Sequence, residues 1–197
     1  MIDSEQERDD DSAAESAPVV HTAAEAAALG SANAPSSDSA LDAFRQAFRR
    51  HAAGVAVITS VLPDGTPAGF TATSLASLAA VPPLATFNMA QVSSAWPAMR
   101  VGNRVAIHML GPRSRHLAER MSADRAARFV PGDWVADADG LPVLSGVTAT
   151  MFARIIEVHP VRANAVIVVQ IEEGALGDDD EALLYHERRY FKPGSAA

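Results

Sequence analysis

Residues 69–89 read GFTATSLASLAAVPPLATFNM. Thr71, Thr73, Ser74 and Ser77 place hydroxyls in a stretch without a single charge, interleaved with Ala72, Leu75 and Ala76. Such a segment can present backbone N–H and C=O groups and small hydroxyls to a flat polar ligand, with no bulky side chain in the way. A few placed polar groups on a mostly apolar wall are how small-molecule sites gain specificity. A second group follows in residues 90–97, AQVSSAWP, where Gln91, Ser93 and Ser94 precede a helix-like run over residues 97–101. Serine hydroxyls and free N–H groups at a helix start suit a phosphate. Simple N-capping by Ser94 is the alternative use of the same residue.

Other chemistries find little support. The chain has no cysteine, which excludes disulfides, thiolate nucleophiles and cysteine-ligated metals. Asp133, Asp137 and Asp139 lie in a turn-rich stretch, but their spacing does not make a calcium loop. His108 stands alone in a strand pattern, on the face opposite Ile107 and Met109. A lone histidine does not make a metal site, and a hydrogen-bonded wall residue is its simplest role. There is no Ser-His-Asp pattern and no P-loop.

The elements that must position these residues read mainly as strands. Residues 39–51 predict a helix capped by Ser39, with Leu41, Phe44, Ala47 and Phe48 on one face to cover an end of the fold. Residues 54–61 are rich in β-branched side chains and predict a strand. Pro63-Asp64-Gly65-Thr66 then turns the chain into a hairpin. Pro82-Pro83 fixes a bend, and strands resume over 84–89 and 103–110. Residues 114–129 predict a helix with an apolar stripe of Leu117, Ala118 and Met121. Residues 147–158 and 165–172 predict a closing hairpin. Its second strand, AVIVVQIEE, is apolar enough to be buried on both faces.

The length of 197 residues and a hydrophobic content of 48% fit one globular domain of ordinary size. Charge is uneven. Residues 1–40 hold nine acids against Arg8, which accounts for the whole net charge of −8 and leaves 15 acids and 15 bases elsewhere. The neutral body argues against nucleic acid as a partner. The tail has too few large apolar residues to offset its ordering entropy, so residues 1–40 are expected to be disordered and residues 41–194 to form the domain. No apolar run is long enough to span a bilayer, and the acidic N-terminus is unlike a signal peptide. A cytoplasmic protein is the expectation.

Taken together, the blocks resemble the flavin reductase-like family, whose members bind FMN or FAD. That family carries a Gly-x-Thr-x-Ser-Phe-x-Ser-like segment, then Pro-Pro, then a strand ending near Asn. Here the positions are Gly69, Thr71, Thr73-Ser74-Leu75, Ser77, Pro82-Pro83 and Asn88. The strand VAIHML, the pair Arg128-Phe129 ahead of a mobile loop, Trp134 with the run Gly140 to Leu144, and the terminal block Leu183 to Tyr190 extend the resemblance over residues 44–191. It implies a mainly β protein, a split antiparallel β-barrel with a few flanking helices. It also implies an NAD(P)H-dependent flavin reductase that is a homodimer and supplies reduced flavin to a partner monooxygenase. The cofactor would be FMN or FAD, with NADH or NADPH as co-substrate. By the resemblance, the flavin ring lies along Thr71, Ala72, Thr73, Ser74 and Leu75, and the ribityl-phosphate arm lies on Gln91, Ser93 and Ser94. Asn88, His108, Phe129, Asn164 and Arg189 are further cofactor-binding candidates. One block departs from the pattern. Where many members have Gly-Asp-His on the nicotinamide side of the flavin, this chain has Arg162-Ala163-Asn164. Asn164 can donate a hydrogen bond but carries no charge, which leaves a non-catalytic flavin-binding protein as the alternative.

Overall fold

The computed structural model describes residues 37–194, so the expected tail lies almost wholly outside the described residues. Helix α1 (Ser37–Arg50) forms where the pattern predicts. Its last part, residues 45–50, does not act as the expected cover: all six residues are exposed, Phe48 at 62%. Phe48 sits edge-on to His51, and the Arg49 carbonyl accepts the Glu187 N–H at 3.0 Å. Val55, Leu110 and Leu183, each just outside a strand, are buried together and bonded to one another through their backbones.

Seven strands form one antiparallel sheet in the order β3-β2-β6-β9-β10-β5-β4. They are β2 (Ala56–Val61), β3 (Pro67–Ala72), β4 (Ala76–Ala79), β5 (Leu84–Ala90), β6 (Arg104–Met109), β9 (Ala149–Val161) and β10 (Asn164–Leu176). The predicted hairpins are present. Gly65 takes φ 82° in the β2–β3 turn, and Asp64 accepts the Thr66 N–H at 2.9 Å. The two edge strands, β3 and β4, are consecutive in sequence. Residues 73–75 therefore cross from one edge of the sheet to the other and curl it into a barrel that is split along this seam. Closure rests on side chains rather than ladder bonds. The rings of Phe70 on β3 and Phe87 on β5 lie 5.9 Å apart. Below the last β4 pairing, the Ser74 hydroxyl accepts the Asn88 N–H at 2.9 Å and donates to the Asn88 carbonyl at 3.3 Å.

The barrel interior is filled by Ile58, Phe87, Ile107, Ile155, Ile167 and Val169, none with any exposure. A second core lies outside the barrel wall, where Val57, Leu110, Leu117, Met121 and Leu144 pack together. β2 is buried on both faces for this reason, and its two buried hydroxyls, Thr59 and Ser60, are satisfied by the carbonyls of Pro142 and Arg104. The helix predicted over 114–129 is shorter. α2 (Arg115–Met121) ends at Ser122, whose hydroxyl turns back to the Ala118 carbonyl at 2.9 Å and competes with the helical ladder. A 3-10 turn (Arg125–Ala127) follows.

The segment after Phe129, read from the resemblance as mobile, is tied to the body along its length. β7 (Trp134–Ala136) and β8 (Pro142–Leu144) form a small hairpin. Arg120 of α2 and Asp133, both cut off from water at the facing atoms, form an ion pair. Arg104 pairs with Asp137 at 3.1 Å and also with Asp139. Thr59 donates to the Pro142 carbonyl at 2.5 Å. The strap is fixed because these groups satisfy backbone and charge that burial would otherwise penalise. A small sheet of β1 (Ala53–Gly54), β11 (Leu184–His186) and β12 (Arg189–Phe191) completes the fold. Among the described residues no helix is long and apolar enough to cross a membrane.

Candidate functional site

The crossing segment is the hub of the candidate site. β3 alternates its faces: Ala68, Phe70 and Ala72 point into the barrel, while Gly69 and Thr71 face α2. A side chain at Gly69 would meet Met121 and Phe129 at 3.2 Å each, so glycine is needed for α2 and Phe129 to close on the strand. The Thr71 hydroxyl is committed to that packing. It donates to the Ala118 carbonyl at 2.8 Å and accepts from Ser122 at 3.1 Å. Ala72 is buried in the core, which leaves its backbone as the part able to meet a ligand. Thr73 is exposed, Ser74 and Leu75 are half-buried, and Leu75 packs on the barrel core. Among the described residues nothing pairs with the Thr73 hydroxyl or with the exposed Asn88 side-chain amide.

Arg128 joins this segment to the serine loop. Its Nη1 donates to the Gly69 carbonyl at 2.9 Å and to Ser94 Oγ at 3.0 Å, while its Nε donates to the Ala123 carbonyl at 3.1 Å. No α-helix starts directly after Ser94. The run after Ser94 is one 3-10 turn (Trp96–Ala98) whose cap position is Ala95, too short to offer a dipole. Ser93 accepts the Ala95 N–H at 3.3 Å, so the local turn uses Ser93 and not Ser94. What stands beside Ser94 is a guanidinium, which attracts an anion more strongly than bare amides do. Arg128 belonged to a recognised sequence pair, but its reach to Ser94, 34 residues away, could be learned only from the fold.

Gln91 is placed differently from its expected role. Its Nε2 donates to the carbonyls of Arg162 at 3.0 Å and Asn164 at 2.8 Å, and its own N–H donates to the Ala163 carbonyl at 2.9 Å. The side chain braces the β9–β10 turn instead of facing a ligand. Asn164 pairs in register with Ala90 at the end of β5. The crossing segment, Asn88, the loop of Gln91, Ser93 and Ser94, Arg128, and the turn holding Asn164 are therefore joined by direct contacts into one surface. No carboxylate belongs to it.

Three candidates are not brought to that surface. His108 has no exposure. Its Nδ1 lies 3.2 Å from the Val57 carbonyl, and its Nε2 accepts the Leu144 N–H at 3.0 Å. With Nε2 accepting, Nδ1 carries the proton, and burial pushes the pKa down to about 4. His108 pins the strap to the barrel wall and cannot meet a cofactor. Phe129 packs edge-on to Trp134, with ring centres 5.5 Å apart, in the outer core. Arg189 is exposed on the β11–β12 hairpin, opposite His186, and no contact among the described residues joins it to the others. Flanking the segment are two apolar cavities of about 230 Å³ each, which share Leu75 and Met109; one runs along β4 and the other lies against Gly54, Val55 and Leu183.

A split barrel whose seam is crossed by an uncharged hydroxyl-rich ribbon agrees with comparisons to known proteins. The family model described as flavin reductase like domain matches residues 48–194, and the chain belongs to that family. It is 38% identical over 156 residues to an NADH:FMN oxidoreductase of Rhodococcus qingshengii, covering 76% of this chain and 80% of the relative. It is 29% identical to the 4-hydroxyphenylacetate 3-monooxygenase reductase component of Pseudomonas aeruginosa, covering 76% and 90%. The crystal structure of a flavin reductase domain protein from Arthrobacter sp. FB24 superposes with a TM-score of 0.75 at 43% identity, covering 80% of this chain and 98% of that one.

Proposed function

We propose that the protein is an NAD(P)H-dependent flavin reductase that reduces FMN or FAD and passes reduced flavin to a partner monooxygenase. The carrying observation is the joined surface itself: unspent hydroxyl and amide groups at Thr73 and Asn88, backbone of residues 72–75, and a cation at Arg128 beside Ser94. These groups fit a flavin mononucleotide, which needs hydrogen bonds along a flat ring and a positive charge at its phosphate. A bound flavin supplies the redox chemistry by accepting a hydride from the reduced nicotinamide. The chain's own residues do the rest. The crossing segment orients the ring, Ser94 and Arg128 hold the phosphate, and Leu75 with the apolar cavities beside it keeps water from one side. No acid–base residue is required of the protein, because orientation carries the reaction. The absence of a titrating side chain in the cluster accords with that.

The activities of the relatives support the same reading, as does the reductase-component relative for the monooxygenase partner. The two adjoining apolar cavities, one of them along edge strand β4, with Met109 in both at 39% exposure, support the homodimer. A reductase of this kind works where the nicotinamide is kept reduced, so we place it in the cytoplasm. The test is anaerobic addition of NADH or NADPH to protein plus FMN. Flavin bleaching and nucleotide oxidation are expected. Bound flavin that stays yellow would instead favour a binding protein, a reading encouraged by Arg162-Ala163-Asn164. Arg128→Gln should weaken FMN binding about ten-fold or more and riboflavin binding much less. Equal losses would remove the phosphate assignment.

A further inference from the structure

The turn between β9 and β10 carries a residue that its backbone disfavours. Val161 pairs with Asn164, which leaves Arg162 and Ala163 as the two central residues of the hairpin. Arg162 takes φ 54°, in the left-handed region where glycine is at ease and a side chain is crowded. A glycine there would build the same turn without strain. The chain nevertheless holds an arginine in place, and Gln91 holds the arginine: its side chain and N–H occupy the carbonyls of Arg162, Ala163 and Asn164 in succession. The Arg162 side chain is exposed, and among the described residues no carboxylate or other group pairs with it. Glu157, the nearest acid along β9, is engaged by His159 at 2.5 Å. An unpaired cation thus stands on the lip of the candidate site, on a strained turn whose backbone is braced by Gln91 of the same loop as Ser93 and Ser94.

We infer that Arg162 is a specificity-determining residue that grips a phosphate of a nucleotide entering this site, and that Gln91 is the positioning residue that holds it there. A backbone outlier supports a functional assignment when its surroundings over-determine it, as the Gln91 bonds do here. The planar guanidinium fork matches phosphate, and at an exposed lip its attraction falls with salt. The inference rests on the reading above that the site takes nucleotides.

The experiment compares wild-type protein with Arg162→Gly, Arg162→Lys and Gln91→Leu. The glycine variant relieves strain and should melt no lower than wild type. At low salt it should raise the KM for NADH or NADPH, or the Kd for FMN, by about five- to fifty-fold while kcat changes by less than about two-fold. A rise in nicotinamide KM assigns the phosphates of that nucleotide. A rise for FMN without one for riboflavin assigns the flavin phosphate. Arg162→Lys should restore part of the loss, Gln91→Leu should reproduce part of it, and added salt should shrink the difference. If Arg162→Gly leaves the KM for both nicotinamides and the FMN affinity unchanged, the inference is overturned even though the reductase stands. Wild-type protein that binds neither FMN nor a nicotinamide would sink the parent reading and this one with it.

Discussion

Ser74 and His108 show how one polar side chain can replace the pairing of a strand. Ser74 satisfies both backbone groups of Asn88 where β4 has run out of pairing, so neither of these two groups is left orphaned. His108 does the same across the outer wall, with one ring nitrogen on Val57 and the other on the Leu144 N–H. Its charge state follows from this place. Burial lowers its pKa from 6.5 to about 4, with the Val57 carbonyl opposing the shift. The unfolded chain therefore binds more protons than the folded one between those values. The stabilisation is complete above pH 6.5 and is lost as pH falls toward 4, by roughly 3 kcal/mol in all. Urea unfolding at about pH 7 and about pH 4.5 should show the loss. In His108→Leu the part of the slope due to this residue should vanish, with stability near neutral pH lower by about 1–3 kcal/mol because the Leu144 N–H is left unpaired. An unchanged pH slope in that variant would remove His108 as its source.

At the scale of elements, the strap over residues 130–146 is the feature least expected from the chain's composition. Its turn residues and three aspartates suggest a loose loop. Every one of those aspartates is instead engaged by an arginine of the body. Asp133 meets Arg120, while Asp137 and Asp139 meet Arg104. Hydrogen bonds from the Asp139 and Leu141 N–H groups, with Arg104 beside them, hold the Asp137 carboxyl below its ordinary pKa against the opposing effect of burial. A double-mutant cycle on Arg120→Ala and Asp133→Asn should give a coupling of about 1 kcal/mol or more. In either single variant, the amides of the strap should exchange with deuterium faster than in wild type. Strict additivity would mean that the pair does not fasten the strap. The helix before the strap illustrates the opposite case. Its apolar stripe is legible in the sequence, but its end at Ser122 is not, because that end depends on a hydroxyl choosing Ala118 and Thr71.

For the whole molecule, the seam and the groove beside it set the assembly expected of the protein. Leu75 and Met109 line both apolar cavities, one of which runs along edge strand β4, and an open apolar groove next to a sheet edge invites a second copy. Sedimentation equilibrium should give twice the chain mass. Met109→Glu should shift the protein toward monomer and weaken FMN binding with it. A monomeric wild type that binds FMN with unchanged affinity on dilution would show that one chain completes the site.

The amino-acid order by itself determined the mainly β character, the hairpins and the flavin reductase-like assignment. The β character and the hairpins depend on period-two burial and turn residues, which are local, and the family assignment on the order of motif blocks that resemble the flavin reductases. Tertiary structure alone decided which polar groups stay free for a ligand. Thr71, Gln91 and His108 look as available in the sequence as Thr73 and Asn88, but they are consumed by α2, the β9–β10 turn and β8. Arg128 gains its place only because the chain brings it back to Gly69 and Ser94. A hydrogen-bonding group carries no mark of its partner, and the partner is fixed by packing between segments far apart in the chain.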